Sequence, residues 1–139
     1  MKIMAVDLGD ARTGLAVCDK SEFLASPAGV IHEKNYKMIL QKTASAAIEH
    51  SVEEIVVGLP KNMDGTEGER ALKCRDFAKK LEEQTGLSVT LWDERSTTVT
   101  AVGYMNVLDI RGKKRKNIID EVAAVIILEN YLNWRKNNK

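Results

Sequence analysis

The sequence has two cysteines, two histidines and two prolines in 139 residues. Cys18 and Cys74 form no CxxC pair and share no zinc-like spacing with a histidine. That excludes a zinc ribbon and a CxxC redox centre. They read as buried free thiols in a reducing compartment. His32 and His50 are isolated, and without an HExxH pair both read as surface side chains. There is no GxxxxGK[ST] loop, no GxGxxG and no GxSxG. No uncharged apolar run approaches the roughly 20 residues that span a bilayer. The opening MKIMAVDLG reads as a strand rather than a secretion leader. The formal net charge is only +1, which argues against a nucleic-acid coat of the histone type. The length suits one domain over 1–139, large enough to fold without a disulfide or structural metal. The expectation is a soluble, cytoplasmic, single-domain protein with no membrane partner.

What is present alternates between two periodicities. Apolar runs at Ile3–Leu8, Thr13–Cys18 and Leu24–Ile31 read as three strands. A short Gly-Asp-Ala-Arg turn separates the first two. Pro27 and Gly29 put the third at a sheet edge or bend it. A helical pattern follows from Tyr36 to His50, then a strand Glu54–Leu59 that Pro60 ends. Thr66 and Glu69 have capping-box spacing, which predicts a helix from Thr66 to about Thr85, with Gly86 as its stop. A strand Val89–Trp92 leads into Asp93-Glu94-Arg95. A helix capped by Ser96 or Thr97 is predicted to run to about Val107, and a last one over Ile118–Trp134. This order predicts an α/β fold. Its five-stranded mixed sheet begins with an antiparallel meander of three strands and continues in parallel through helical crossovers.

Three acids stand out. Asp7 shares a strand face with Ile3 and Ala5, where a carboxylate is costly unless paired or bound to a cation; it could instead cap the turn at Gly9. Asp93 and Glu94 end a strand, where ligands of open α/β sheets gather. Alternation sends them to opposite faces, so one at most points into a shared site. They could also be turn charges paired with Arg95. Asp120 opens the predicted last helix, with Ala123 and Ala124 letting that helix approach the sheet. It could equally be an N3 residue behind an Asn117 cap, where the helix dipole favours a carboxylate. Carboxylates from such elements suit Mg²⁺ or Mn²⁺, hard ions that take oxygen ligands. Two such ions can clamp the attacking and leaving oxygens of phosphodiester hydrolysis.

The segment Arg111-Gly-Lys-Lys-Arg-Lys116 holds five cations in six positions. We read Arg111, Lys113, Lys114, Arg115 and Lys116 as a basic loop able to hold a nucleic-acid backbone, though a solvated loop would look the same. Setting them aside leaves 16 basic against 20 acidic residues. The chain is therefore a mildly acidic body with one concentrated basic segment. Trp92, Tyr104, Tyr131 and Trp134 could stack on bases, but core or edge packing accounts for them as well.

The segments IMAVDLGDARTGLAV, IVVGLPKNMDGTEG, WDERSTT and KKRKNIIDEVAAVIIL, in that order and over essentially the whole chain, resemble the YqgF/RuvX family. The resemblance implies a ribonuclease H-like fold with helices on both faces of the sheet, similar to RuvC-type Holliday junction resolvases. It implies Asp7, Glu94 and Asp120 as the catalytic, metal-binding triad, choosing Glu94 over Asp93. It also implies two Mg²⁺ or Mn²⁺ ions with substrate bound. Gly9, Arg12, Pro60, Gly65 and Arg95 would form the site rim. Ser96 departs from the bulkier apolar residue more usual in the family. The implied activity is a nuclease trimming the 5′ end of precursor 16S ribosomal RNA. The alternatives are a resolvase acting on branched DNA and a non-catalytic nucleic-acid binding module. Asp7-Leu-Gly before a hairpin also resembles the phosphate turn of actin-like ATPases, which close two such domains around a nucleotide. This length has room for one.

Overall fold

The computed structural model describes residues 1–94 and 112–138. The elements run β1 (Ile3–Asp7), β2 (Arg12–Cys18), β3 (Ala25–His32), α1 (Tyr36–Glu49), β4 (Glu54–Leu59), α2 (Glu69–Thr85), β5 (Ser88–Asp93) and α3 (Gly112–Asn137). The helix expected after Ser96 lies outside the described residues. The five strands form one sheet in the order β3-β2-β1-β4-β5. β1, β2 and β3 pair antiparallel, whereas β4 joins β1, and β5 joins β4, in parallel. The mixed sheet expected from the order of elements is the one observed.

Strand alternation sorts the core into two layers. On one face Met4, Val6, Leu15, Ile55 and Val57 pack with Ile39 and Ala47 of α1 and Phe77 and Leu81 of α2. On the other, Ile3, Ala5, Ala16 and Val56 pack with Ala124, Ile127, Leu128 and Tyr131 of α3. Each fully buried aliphatic side chain contributes about 1.5–3 kcal/mol, so the two layers hold the sheet rigidly between helices. β4 is buried along its whole length, as expected of a central strand covered on both faces. β3 is an edge strand that carries Pro27, and its register against β2 shifts between Leu15 and Ala16. Proline is tolerated there because an edge strand leaves some N–H groups unpaired.

Three local expectations are corrected. Thr66 does not cap α2. Its Oγ1 and its backbone N–H both donate to Asp64 Oδ1, at 2.6 and 3.0 Å. This local bonding competes with helix capping, and α2 begins at Glu69 behind Gly68 with no side-chain cap. Second, residues 112–116 are not a loop but the opening turns of α3. Lysine and arginine are good helix formers, and no breaker follows Gly112. Third, Asn117 is therefore inside the helix, not at its cap. Asp120 sits about two turns in, beyond the reach of the N-terminal dipole.

The end of α3 remote from Asp120 is held by a polar network. Buried Glu54 accepts from Tyr131 Oη at 3.1 Å and Thr90 Oγ1 at 3.3 Å. Arg135 donates from Nε and Nη2 to Glu22 at 2.7 and 3.2 Å. The terminal ammonium of Met1 also reaches Glu22 at 3.3 Å. Trp92, Tyr131 and Trp134 pack on one another with ring centroids about 6 Å apart, a packing role for these aromatics. Tyr104 lies outside the described residues. Among the described residues, no helix is long and apolar enough to cross a membrane.

Candidate active site

The site forms at the carboxyl ends of β1, β4 and β5. Asp7 is the last residue of β1 and shares the face of Ile3 and Ala5, so it faces the α3 layer. Its partner across β2 is Gly14. On its other side Gly58 follows Val57, which is in register with Val6. Asp7 thus stands between two glycines, and both are required by close approach. A Cβ on Gly14 would lie 2.1 Å from the backbone oxygen of Asp120. A Cβ on Gly58 would lie 2.6 Å from Glu94 Oε1 and 2.8 Å from Ile127 Cδ1. The missing side chains admit the backbone of α3 on one side and the Glu94 carboxylate on the other. Small residues were expected on the helix side, at Ala123 and Ala124, but the backbones meet at Gly14 on the sheet side.

The choice between Asp93 and Glu94 follows from Trp92. Gly58 and Trp92 are in register, and Trp92 packs in the α3 layer. Alternation then puts Glu94 on that same face, while Asp93 shares the face of Leu91, which packs in the opposite layer. The periodicity was readable in the sequence, but the face of Trp92 was not.

The electrostatics report the convergence. The Asp7 carboxyl is pushed up to about 7, chiefly by burial, then by the neighbouring charges of Glu94 and Asp120, with Arg70 opposing. Burial likewise raises Glu94, against Arg70 and with Asp93 adding to the rise. Crowded acids of this kind ionise together only when a cation compensates them. Asp120 has a partner already, since Arg12 Nε donates to its Oδ2 at 2.7 Å. Among the described residues, no three acid, cysteine or histidine side chains form a group that could hold a metal ion as they stand. Carboxylate oxygens are the hard donors that Mg²⁺ and Mn²⁺ take.

The remaining expected residues divide. Arg12 belongs to the site through Asp120. Gly9 lies in the β1–β2 turn, where its N–H donates to Thr13 Oγ1 at 3.4 Å. Pro60 directly follows β4, and Gly65 closes a loop by donating its N–H to Asn62 O at 2.9 Å. Arg95 and Arg111 lie outside the described residues, and Lys113, Lys114, Arg115 and Lys116 fall in the first turns of α3. His32 is exposed and His50 half-buried. Arg70 was missed. It sits in the first turn of α2, donates from Nη2 to Leu8 O at 2.8 Å and lowers both Asp7 and Glu94. A signal existed, because cations in a helix's first turn go against its dipole, and such local conflicts concentrate at functional sites.

The mixed sheet in the order β3-β2-β1-β4-β5, with helices on both faces, is a ribonuclease H-like fold. The structure is similar to RuvC of Thermus thermophilus, with a TM-score of 0.61 at 13% identity, covering 97% of both chains. It is also similar to the fowlpox virus Holliday junction resolvase, with a TM-score of 0.58 at 13% identity, covering 96% of this chain and 99% of that one. At such identities the likeness shows the fold alone. The sequence is more specific: residues 1–134 match the family described as "RuvX: Holliday junction resolvase". A Halothermothrix orenii protein named "Putative pre-16S rRNA nuclease" is 44% identical over 135 residues, which is 97% of this chain and 96% of that protein. A Listeria monocytogenes protein of the same name is 41% identical over 134 residues, covering 95% of this chain and 97% of that one. The chain belongs to the RuvX family.

Proposed function

We propose that this chain is a divalent-metal-dependent endonuclease that hydrolyses nucleic-acid phosphodiesters in the cytoplasm, acting on the 5′ end of precursor 16S ribosomal RNA. The observation that carries this reading is the burial of Asp7 next to Glu94 and Asp120, which together, burial first, push its carboxyl up to about 7. The full-length relatives named as pre-16S rRNA nucleases favour the RNA substrate.

In this reading Asp7, Glu94 and Asp120 hold Mg²⁺ or Mn²⁺, two ions when substrate is present. A bound ion of this kind stabilises charge on the attacking and leaving oxygens of the phosphodiester. The chain's own residues do the rest. Asp7 is fixed on a central strand and cannot move far. Arg12 commits one oxygen of Asp120 and leaves the other available, as outer partners of ligating carboxylates do. Gly58, with no side chain, lets the Glu94 carboxylate lie against β4 beside Asp7. The basic run 111–116 attracts the backbone of the substrate.

The test is cleavage of precursor ribosomal RNA by wild type and by Asp7→Asn, with Mg²⁺ and with Mn²⁺. Expected are a defined product from wild type and its loss in the variant. Equal rates would end the proposal. A second reading, resolution of branched DNA, is favoured by the family's own description. A four-way junction in the same assay, cut in preference to the RNA, would establish it. Binding of either substrate without any metal-dependent product would leave a binding module.

A further inference from the structure

Arg70 and Lys73 lie one turn apart on α2 and point at the same carboxylate. Asp10, in the β1–β2 turn, receives Lys73 Nζ at 3.2 Å and Arg70 Nη1 at 3.8 Å. Its side chain is 79% exposed, those of Arg70 and Lys73 54% and 40%. Two cations from one helix therefore converge on a solvent-exposed point that one surface acid fills. Exposed ion pairs of this kind are weak, so the acid is readily exchanged for another anion. The location is specific. Arg70 is anchored on the carbonyl of Leu8, next to Asp7, and its charge is felt at both Asp7 and Glu94. Arg75, on the same helix, is different, for Glu67 already binds its Nε and Nη2 at 2.6 Å each.

We propose that Arg70 and Lys73 form a phosphate subsite, which takes a backbone phosphate of the nucleic-acid strand beside the carboxylates and which Asp10 fills in the free protein. The arginine offers a planar fork to phosphate oxygens, and the lysine a point charge. The nature of the anion rests on the nuclease reading. The site lies on α2, beside the Asp7 end of β1.

The experiment is fluorescence anisotropy of a labelled single-stranded RNA 20-mer and a labelled four-way DNA junction. EDTA is present so that no cleavage occurs, and salt is varied. The Arg70→Gln/Lys73→Gln double variant is expected to bind about tenfold more weakly near 0.1 M salt. On RNA its salt slope should be smaller by about 0.7, because the subsite holds one phosphate and each lost phosphate contact on a single strand removes about 0.7. Asp10→Asn is expected to bind several-fold more tightly, as the competing carboxylate is gone. Arg75→Gln removes the same charge from the same helix and is expected to bind as wild type does. Thermal melts establish that each variant folds. Wild-type affinity and slope in the double variant overturn the subsite, as do weaker binding by Asp10→Asn and failure of wild type to bind either probe. Cleavage by wild type with Mn²⁺ is scored separately. Binding without cleavage defeats the nuclease reading alone, and cleavage with an unaffected double variant defeats the subsite alone.

Discussion

Arg12 Nε donates to Asp120 Oδ2 at 2.7 Å, joining the first residue of β2 to a helix residue 108 positions later. The bond runs from the sheet side of the site, on β2, to its helical wall. It engages one oxygen of Asp120 and so sets the direction of the other. Arg12→Ala is expected to cost about 1 kcal/mol of stability, typical of a part-exposed charge-assisted bond. In a cleavage assay the rate is expected to fall at least about tenfold, the usual effect of losing an outer partner of a ligand. Urea unfolding and single-turnover cleavage measure the two effects. A wild-type rate in the variant would show that Asp120 needs no such positioning.

The two glycines flanking Asp7 make a graded prediction. At Gly14 the obstructing atoms are the backbone of Asp120, and at Gly58 they are the far ends of Glu94 and Ile127. Side-chain ends can move and a packed helix cannot. Gly58→Ala is expected to cost about 1–3 kcal/mol, the usual penalty for overpacking, and Gly14→Ala more. Thermal melts of the two variants check this, and the reverse order would contradict the packing described.

Asp7 predicts a pH dependence of metal-free stability. Its folded value, about 7, lies above the ordinary aspartate value of 3.8. The neutral form is thus the one the fold tolerates. The contribution is fully present below about pH 4 and is lost as pH rises through 7. Asp7→Asn should remove this dependence and melt higher than wild type at pH 8 in EDTA, by an amount on the order of 2–4 kcal/mol. Adding Mg²⁺ or Mn²⁺ should raise the wild-type melting temperature at pH 8 and leave Asp7→Asn nearly unmoved. A variant that melts below wild type at pH 8 in EDTA would contradict the crowding.

The thiols should be inert. Cys18 and Cys74 are free and buried, and burial pushes Cys74 up to about 11. Thiolate is the reactive form. A colorimetric thiol reagent is expected to find neither group in the native protein at pH 8 and both after unfolding. Fast native reaction at Cys74 would mean that the layer between α2 and the sheet is open.

Much of the fold was legible locally. The apolar run Glu54–Leu59, cut off by Pro60, is β4 to the residue. Gly86 ends α2 with a left-handed φ of 74°, a conformation glycine adopts without steric cost. Asp7 was legible because an acid in an apolar strand breaks the pattern of its neighbours. The start of α3 was misread because lysine and arginine suit a loop and a helix equally, and a 26-residue helix needs no strong cap when its far half is packed against a sheet. Thr66 was misread because Asp64 offers its hydroxyl and N–H a nearer partner than the helix does.

Periodicity and turn chemistry are properties of neighbours along the chain, so the sequence by itself determined the elements, their order and the presence of an acid on β1. Which acids meet is a property of neighbours across the sheet. That Glu94 rather than Asp93 faces Asp7 depends on which layer holds Trp92. That Asp120 reaches the site depends on Gly14 letting two backbones touch. That Arg70 stands beside the acids depends on where α2 begins, at Glu69 and not at Thr66. Each is a contact between residues far apart in sequence, and only burial of both faces of one sheet brings them together.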